Sequence, residues 1–399
     1  MASWKKILYI SWGIIFFHNA GLGMLLPFLP LYVKELGVVG LKAQSAWSGI
    51  LFGVTYFFSG LLAPFWGTMG DTYGRKPLIL RTTLGISLIA LLMSLATNVY
   101  HLLALRILHG ACGAMIPAFT ALVSRALPED KTGQGLGTMQ TAIFAGNIMG
   151  PFIGGLLADL IGYRNVLLVI SFLTLTAGAL TSLFLHEPPR DRAKTRTTVV
   201  HNIKLVLASP SLKLVAMTMF TIQLALYIVQ PILPLFIVSL HGKGNSATMV
   251  GLVFAITGFS TLLFAPYWGK MGDKKGHKKI LAQSLLFAGI AYFPQALVSS
   301  AYQLLPLRAL MGFFVAGIMP STQSMIVKNT SDSQRGGVLG ITHSVNLCGQ
   351  AIAPLIGGFI GALFGFRTAI IATSILLIAV SCLFRKLIKV ADNRVDDFR

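Results

Sequence analysis

Along this chain, apolar positions run almost unbroken for twenty or so residues, give way to a short polar cluster, and then resume. Runs of that length match the roughly 20 residues a helix needs to cross a bilayer. The pattern predicts twelve such segments, over 7–33, 46–68, 78–97, 100–124, 136–159, 164–185, 213–239, 248–268, 280–298, 302–327, 337–361 and 366–386. An open sheet could not satisfy its backbone polar groups in lipid, so each segment is expected to be helical. The weakly alternating ten-residue segments of an outer-membrane barrel are absent. The expected fold class is an all-α membrane protein with twelve transmembrane helices. Two six-helix bundles, at 1–185 and 213–399, are expected to be joined by a cytoplasmic linker at 186–212.

Composition changes the picture by exclusion. The 399 residues are 55% hydrophobic and only 11% charged, with a mean hydropathy of +0.75. Soluble domains run at about a quarter charged, which rules out a soluble enzyme of this size, and intrinsic disorder with it. The formal charge of +20 comes from 32 Lys and Arg against 12 Asp and Glu. These cations lie between apolar runs rather than along one face, so no nucleic-acid partner is expected. With the amino terminus in the cytoplasm, 25 basic residues fall on the inner side and five on the outer (Lys34, Lys42, Arg164, Lys243, Arg367). Arg106 and Arg308 lie within spans. That five-to-one bias fits both termini inside a bacterial inner membrane.

Trp4-Lys5-Lys6 leads straight into an apolar run too long for a signal-peptide core, so the first helix is expected to stay as an anchor. Cys112, Cys348 and Cys382 lie in apolar stretches without metal-ligand spacing, which indicates neither a disulfide framework nor a metal site. The linker opens on His186-Glu187-Pro188-Pro189-Arg190 and continues through Asp191, Arg192, Lys194 and Arg196, a charged stretch suited to lipid phosphates.

The two halves repeat one another. Trp66-Gly67-Thr68-Met69-Gly70-Asp71-Thr72-Tyr73-Gly74-Arg75-Lys76 returns as Trp268-Gly269-Lys270-Met271-Gly272-Asp273-Lys274-Lys275-Gly276-His277-Lys278, shifted by 202. Arg106 and Gly110 return as Arg308 and Gly312 at the same shift. Pro151, Gly154, Gly155 and Arg164 return as Pro354, Gly357, Gly358 and Arg367, shifted by 203. Pro27 and Pro30 correspond to Pro231 and Pro234. Halves of this kind suit a membrane protein that rocks about a central site.

These residues resemble the major facilitator superfamily over essentially the whole chain. Gly67-x-x-Gly70-Asp71-x-x-Gly74-Arg75-Lys76 is similar to its loop motif between helices two and three, and Arg106-x-x-His109-Gly110 to its helix-four motif. Gly146-x-x-x-Gly150-Pro151-x-x-Gly154-Gly155 is similar to the helix-five motif of the drug:proton antiporters. The runs Leu29-Pro30-Leu31-Tyr32-Val33, Trp47-Ser48-Gly49-Ile50 and Pro64-Phe65-Trp66-Gly67 resemble a bacterial inner-membrane multidrug exporter subgroup of that branch. The resemblance implies alternating access, export rather than uptake, and a monomer. It also implies a loop latch on Asp71, with Arg75 and Lys76 as partners and with Asp273, Gly269 and Gly276 as its repeat.

Physically, glycines allow close helix approach, and a carboxylate beside a helix amino terminus meets partial positive charge. A tight turn with topology-setting cations would use the same loop residues. Helix five, with Gly150-Pro151 and small residues near four-residue spacing, is expected to bend and to cross closely; generic kinking is the alternative.

Polar residues inside spans are costly and therefore informative. His18 lies about 16 Å in from residue 7, with Asn19 beside it; Arg106 lies about 9 Å and His109 about 14 Å deep from the other side. Arg106 and His109, three apart, share a helix face. Gln223, Tyr227 and Gln230 form one polar stripe, and His343, Asn346 and Gln350 another. Gln140 and Asn147 answer at matched repeat positions. Such stripes are expected to face a wet cavity, although helix–helix hydrogen bonds would also use them.

The twelve acids divide into ten on the inner side and two near the outer face, Glu35 and Asp159, with none at a span centre. Many relatives in this family carry an acid there. The cavity is therefore expected to be net positive and to favour anionic or zwitterionic substrates. Proton coupling would fall to His18 and His109, or to Asp159.

No phosphate loop, His-Glu-x-x-His or Gly-x-Ser-x-Gly is present, so neither an enzyme nor a cofactor is expected. The partners expected are a small-molecule substrate, protons and the bilayer. A carrier dedicated to one metabolite, such as a carboxylate siderophore, is the main alternative. A membrane sensor is a more remote one.

Overall fold

Chain-long helicity interrupted by single glycines is the first consequence of this pattern. The computed structural model describes residues 3–113, 115–128, 131–187, 199–241, 246–328, 330 and 335–396. Helices α1 (Ser3–Glu35), α2 (Leu41–Tyr73), α3 (Arg75–Ser94), α4 (Val99–Ala111), α5 (Met115–Ala126), α6 (Thr132–Ile161) and α7 (Tyr163–Phe184) form the first half. Then follow α8 (Val199–Ala208), α9 (Pro210–Ile228), α10 (Leu233–His241), α11 (Ser246–Lys275), α12 (His277–Tyr292), α13 (Leu304–Val315), α14 (Ile318–Lys328), α15 (Arg335–Phe364) and α16 (Phe366–Asp396). Gly74, Gly162, Gly276 and Gly365 are each the lone residue between two long helices, with φ from 81° to 114°. A side chain would strain that backbone, so glycine is what permits so abrupt a reversal.

Among the described residues, eleven helical stretches are long and apolar enough to cross a membrane. The segment expected at 280–298 differs. There α12 ends after 16 residues and a 3-10 turn, Phe293–Ala296, carries the chain on. Pro294 has no N–H for the α-helical ladder, so this segment is a composite. The fourth and tenth segments are also broken, after Ala111 and after Val315, and the seventh is broken between Ile228 and Leu233. Pro27 and Pro30 sit inside an uninterrupted α1, whereas of their counterparts Pro231 lies in that last break and Pro234 in the first turn of α10. Within the expected linker, 199–208 is helical as α8, with Ile203 and Leu207 exposed. Pro188 through Arg196, and Lys243, lie outside the described residues.

Large apolar side chains cover the surface. Phe172 is 68% and Leu183 69% exposed, values that lipid rather than water accommodates.

By contacts the chain divides into two units, Met1–Lys194 with Pro234–Ala255, and Thr195–Leu233 with Ile256–Arg399. In the first, α6 lies along α1. A Cβ on Gly146, Gly150 or Gly154 would strike the backbone of Asn19, Ala20, Gly23 or Met24. In the second, α15 lies along α9 in the same way, with Gly349 against Phe220 and Leu224, and Gly357 against Ile228. Other contacts repeat as well. Trp66 Nε1 donates to the Ala111 carbonyl (2.7 Å) and Trp268 Nε1 to that of Phe313 (2.6 Å). Both bonds satisfy carbonyls freed where the fourth and tenth segments break.

Arg164 donates to the carbonyls of Ser94 and Ala96, and Arg367 to that of Val298. Counted on the sequence as loose outer-loop charges, these arginines cap the ends of neighbouring segments. Arg81 is similar: it stacks 3.2 Å over the Trp66 ring and donates to Cys112 and Gly113 carbonyls.

Candidate functional site

The polar residues of the first unit gather on α1, α2, α4 and α6. Arg106 is buried, and its Nε donates to the Leu51 carbonyl (3.3 Å) while Nη1 lies 3.3 Å from His109 Nδ1. Thr55 locks α2 to α4 by donating to the Arg106 carbonyl (3.1 Å). That approach is possible because residue 110 is glycine: a Cβ there would strike the Thr55 backbone. His109 is half-buried and is the one polar ring on the wall of a cavity of about 10 Å³, shared with Leu22, Leu25, Met93 and other apolar side chains. That is room for one water, not for a drug-sized molecule. His18 is 3% exposed, with no hydrogen-bond partner for Nδ1 among the described residues. Asn19 donates to the Ile15 carbonyl of its own helix (2.8 Å). Gln140 and Asn147 are exposed on α6.

In the second unit, Gly349 brings α15 against the Cβ of Gln223 on α9. Gln223 and Tyr227 are half-buried on α9, and Gln230 lies in the break that follows. Asn346 and Gln350 are half-buried on α15, and His343 is exposed. Arg308 is 5% exposed; Nη1 lies 3.8 Å from the Met311 thioether, the Tyr292 side chain lies against the guanidinium, and Nε and Nη2 have no hydrogen-bond partner among the described residues. Its guanidinium lies 5.4 Å from the Tyr292 ring centre.

The loop motif is a helix end rather than a loop. Gly67, Gly70 and Asp71 lie inside α2, which runs on to Tyr73, so Asp71 is not beyond the helix; its side chain lies outside the described residues. Gly70 makes room for Arg75, as Gly272 does for His277, but Gly67 and Gly269 face open space and admit no close neighbour. His277 Nε2 lies 3.1 Å from Asp273 Oδ1. Lys76 Nζ donates to the Ser182 carbonyl (2.9 Å).

Sequence reasoning missed Glu187, whose carboxylate accepts the backbone N–H groups of Arg75 (2.8 Å) and Lys76 (3.0 Å) at the start of α3. A carboxylate there satisfies orphan donors and complements the helix dipole. The only sequence signal was an acid two residues beyond the sixth apolar run. Glu187→Ala is expected to cost about 1 kcal/mol, the usual worth of such a cap. Thermal unfolding in detergent would register it as a drop of a few degrees at most.

Asp159, in the last turn of α6, has its carboxylate on the first turn of α11. It accepts Ala247 N–H (3.2 Å), Thr248 N–H (2.7 Å) and the Thr248 hydroxyl (2.6 Å). Below it the two helices touch through backbone, since a Cβ on Gly155 would strike the Ala247 carbonyl and one on Gly251 that of Pro151.

Comparisons with known proteins agree with this architecture. The family model of the Major Facilitator Superfamily matches residues 11–244 and 215–396. The multidrug resistance protein MdtG of Escherichia fergusonii is 36% identical over 374 residues, 93% of this chain and 92% of that protein. MdtG of Serratia proteamaculans is 35% identical over 380 residues, 95% of this chain and 92% of its own. Among solved structures, the chain is similar to a bacterial homolog of the human lysosomal transporter Spinster in its inward-facing, occupied conformation. There the TM-score is 0.82 at 14% identity, covering 96% of this chain and 97% of that one. The human organic anion transporter MFSD10 gives a TM-score of 0.72 at 16% identity, covering 96% and 100%. With helices, internal repeat and family model in agreement across the chain, this is a multi-pass membrane transporter that belongs to the major facilitator superfamily.

Proposed function

We propose that this transporter exports small amphipathic anions or zwitterions from the bacterial cytoplasm across the inner membrane, in exchange for protons, by alternating access. Both termini lie on the cytoplasmic side and the working unit is a monomer. Export is supported by the extended likeness to proteins named for multidrug resistance, and the cytoplasmic termini by the charge bias of the connecting segments. The observation that carries the substrate class is electrostatic: Arg106 and Arg308 are buried within spans, and no acid lies at a span centre. A cationic substrate would find no counter-charge there, whereas a carboxylate or phosphonate would meet guanidinium groups that no carboxylate neutralises among the described residues. The polar stripes of α9 and α15 supply hydrogen bonds along the substrate path. His18 and His109 carry the proton: His18 Nδ1 has no hydrogen-bond partner among the described residues, and His109 borders a water-sized cavity.

Purified protein in liposomes with an imposed pH gradient and a lumenal pH dye tests this. Amphipathic carboxylates and phosphonates are expected to trigger proton flux, and lipophilic cations are not. Flux triggered by cations would overturn the charge argument. In the same assay the double variant His18→Ala, His109→Ala is expected to lose anion-triggered flux, and full flux would remove the histidines from the proton path.

A further inference from the structure

The Asp159 carboxylate closes one end of the α6–α11 pair, and nothing in the repeat requires it to. The equivalent position in the second half, 203 residues on, is Ala362, and the counterpart of Thr248 in the first half is Ala46. Backbone-to-backbone contact through Pro151, Gly155, Ala247 and Gly251 already brings the helices together. The acid is therefore an addition to the packing, made on one side only.

Three donors converge on it, two of them backbone N–H groups in the first turn of α11. Those groups have no intrahelical acceptor, and they sit at the positive end of the helix dipole. A carboxylate accepting them is a charge-assisted cap supplied by another helix, so its energy is lost when the helices part. We infer that Asp159 is a clasp holding the first turn of α11 against the last turn of α6, and that making and breaking it sets how readily the outer end of the transport path opens. The placement of this end outside rests on the orientation proposed above. Asp159 is a positioning residue here; it touches no substrate. Its exposure places the clasp at the membrane surface, where it can break without dragging a charge through lipid.

The test is directional labelling of the full chain in right-side-out vesicles, with Cys112, Cys348 and Cys382 replaced by alanine. Val250, fully buried just beyond the first turn of α11, becomes the outer reporter as Val250→Cys. The exposed Gln140 on α6 becomes the inner one as Gln140→Cys, read in inverted vesicles. With a membrane-impermeant maleimide, Asp159→Ala is expected to raise labelling at position 250 about tenfold and to lower it at 140, because loss of the cap favours the outward-open form. Thr248→Val, which removes one of the three bonds, is expected to give a smaller change in the same directions. An unchanged rate at position 250 would overturn the clasp. A rise at both positions would do so too, since it means general loosening. Labelling needs neither substrate nor proton gradient, so silence in the liposome assay alongside the expected labelling would sink the anion proposal and leave the clasp standing.

Discussion

Gly154→Leu is expected to destabilise the first unit and abolish transport. A Cβ at this position lies 2.5 Å from Met24 Cα and 2.6 Å from the Met24 carbonyl oxygen, with α1 backbone rather than a flexible side chain in the way. Relief requires α1 and α6 to separate, and these helices share Gly146, Gly150 and Gly154 as their close-approach points. In lipid, van der Waals packing is a main source of helix association, so losing it leaves little to hold the pair. Overpacking of this kind costs about 3 kcal/mol or more. In detergent that corresponds to a drop in Tm of roughly 5 °C or more. Gly67→Ala is the control. It belongs to a motif of the same resemblance, yet a Cβ there meets nothing within 4 Å. Removing a glycine from a helix interior is expected to leave Tm unchanged or slightly raised. A comparable loss of stability in the two variants would mean that glycine content rather than helix contact matters.

The difference between Gly154 and Gly67 marks how far the sequence could be read. Period and length located the eleven stretches long and apolar enough to cross, because lipid leaves the backbone few choices; the ninth expected segment, 280–298, is instead a short helix and a 3-10 turn. The repeat located the paired anchors, since Trp66 and Trp268 do the same work at matched helix breaks. What stayed hidden were acceptors and donors created by the breaks themselves. Nothing in the residue types shows that α4 stops at Ala111 and frees carbonyls for Trp66 and Arg81. Arg164 and Arg367 passed for loop charges because a sequence shows a cation's neighbours along the chain, not the helix end it reaches. Glu187 and Asp159 were visible as acids, but their capping roles were hidden for the same reason, as their partners are backbone N–H groups 111 and 88 residues away. His18, Arg106 and His109 were legible as costly polar residues in apolar spans. Their distribution between satisfied and unsatisfied groups was not, because it depends on which carbonyl each meets.

That distribution separates the two repeat-related arginines. Arg106 has the Leu51 carbonyl and His109; Arg308 has Met311, at the position that matches His109, and a thioether is a weak acceptor. A buried guanidinium with two N–H sites unmatched bears a desolvation penalty that protein contacts do not offset. Arg308→Met is therefore expected to hold or raise Tm, by up to a few kcal/mol of stability, while abolishing anion-triggered flux in liposomes. Arg106→Met is expected to lower stability by about 1 kcal/mol, because His109 loses its guanidinium donor while the Leu51 carbonyl keeps the Thr55 hydroxyl. A gain in stability bought with a loss of activity is the mark of a group kept for its ligand. If Arg308→Met instead destabilises the protein as much as Arg106→Met does, the second arginine is a structural group. The substrate's negative charge must then be met elsewhere in the protein.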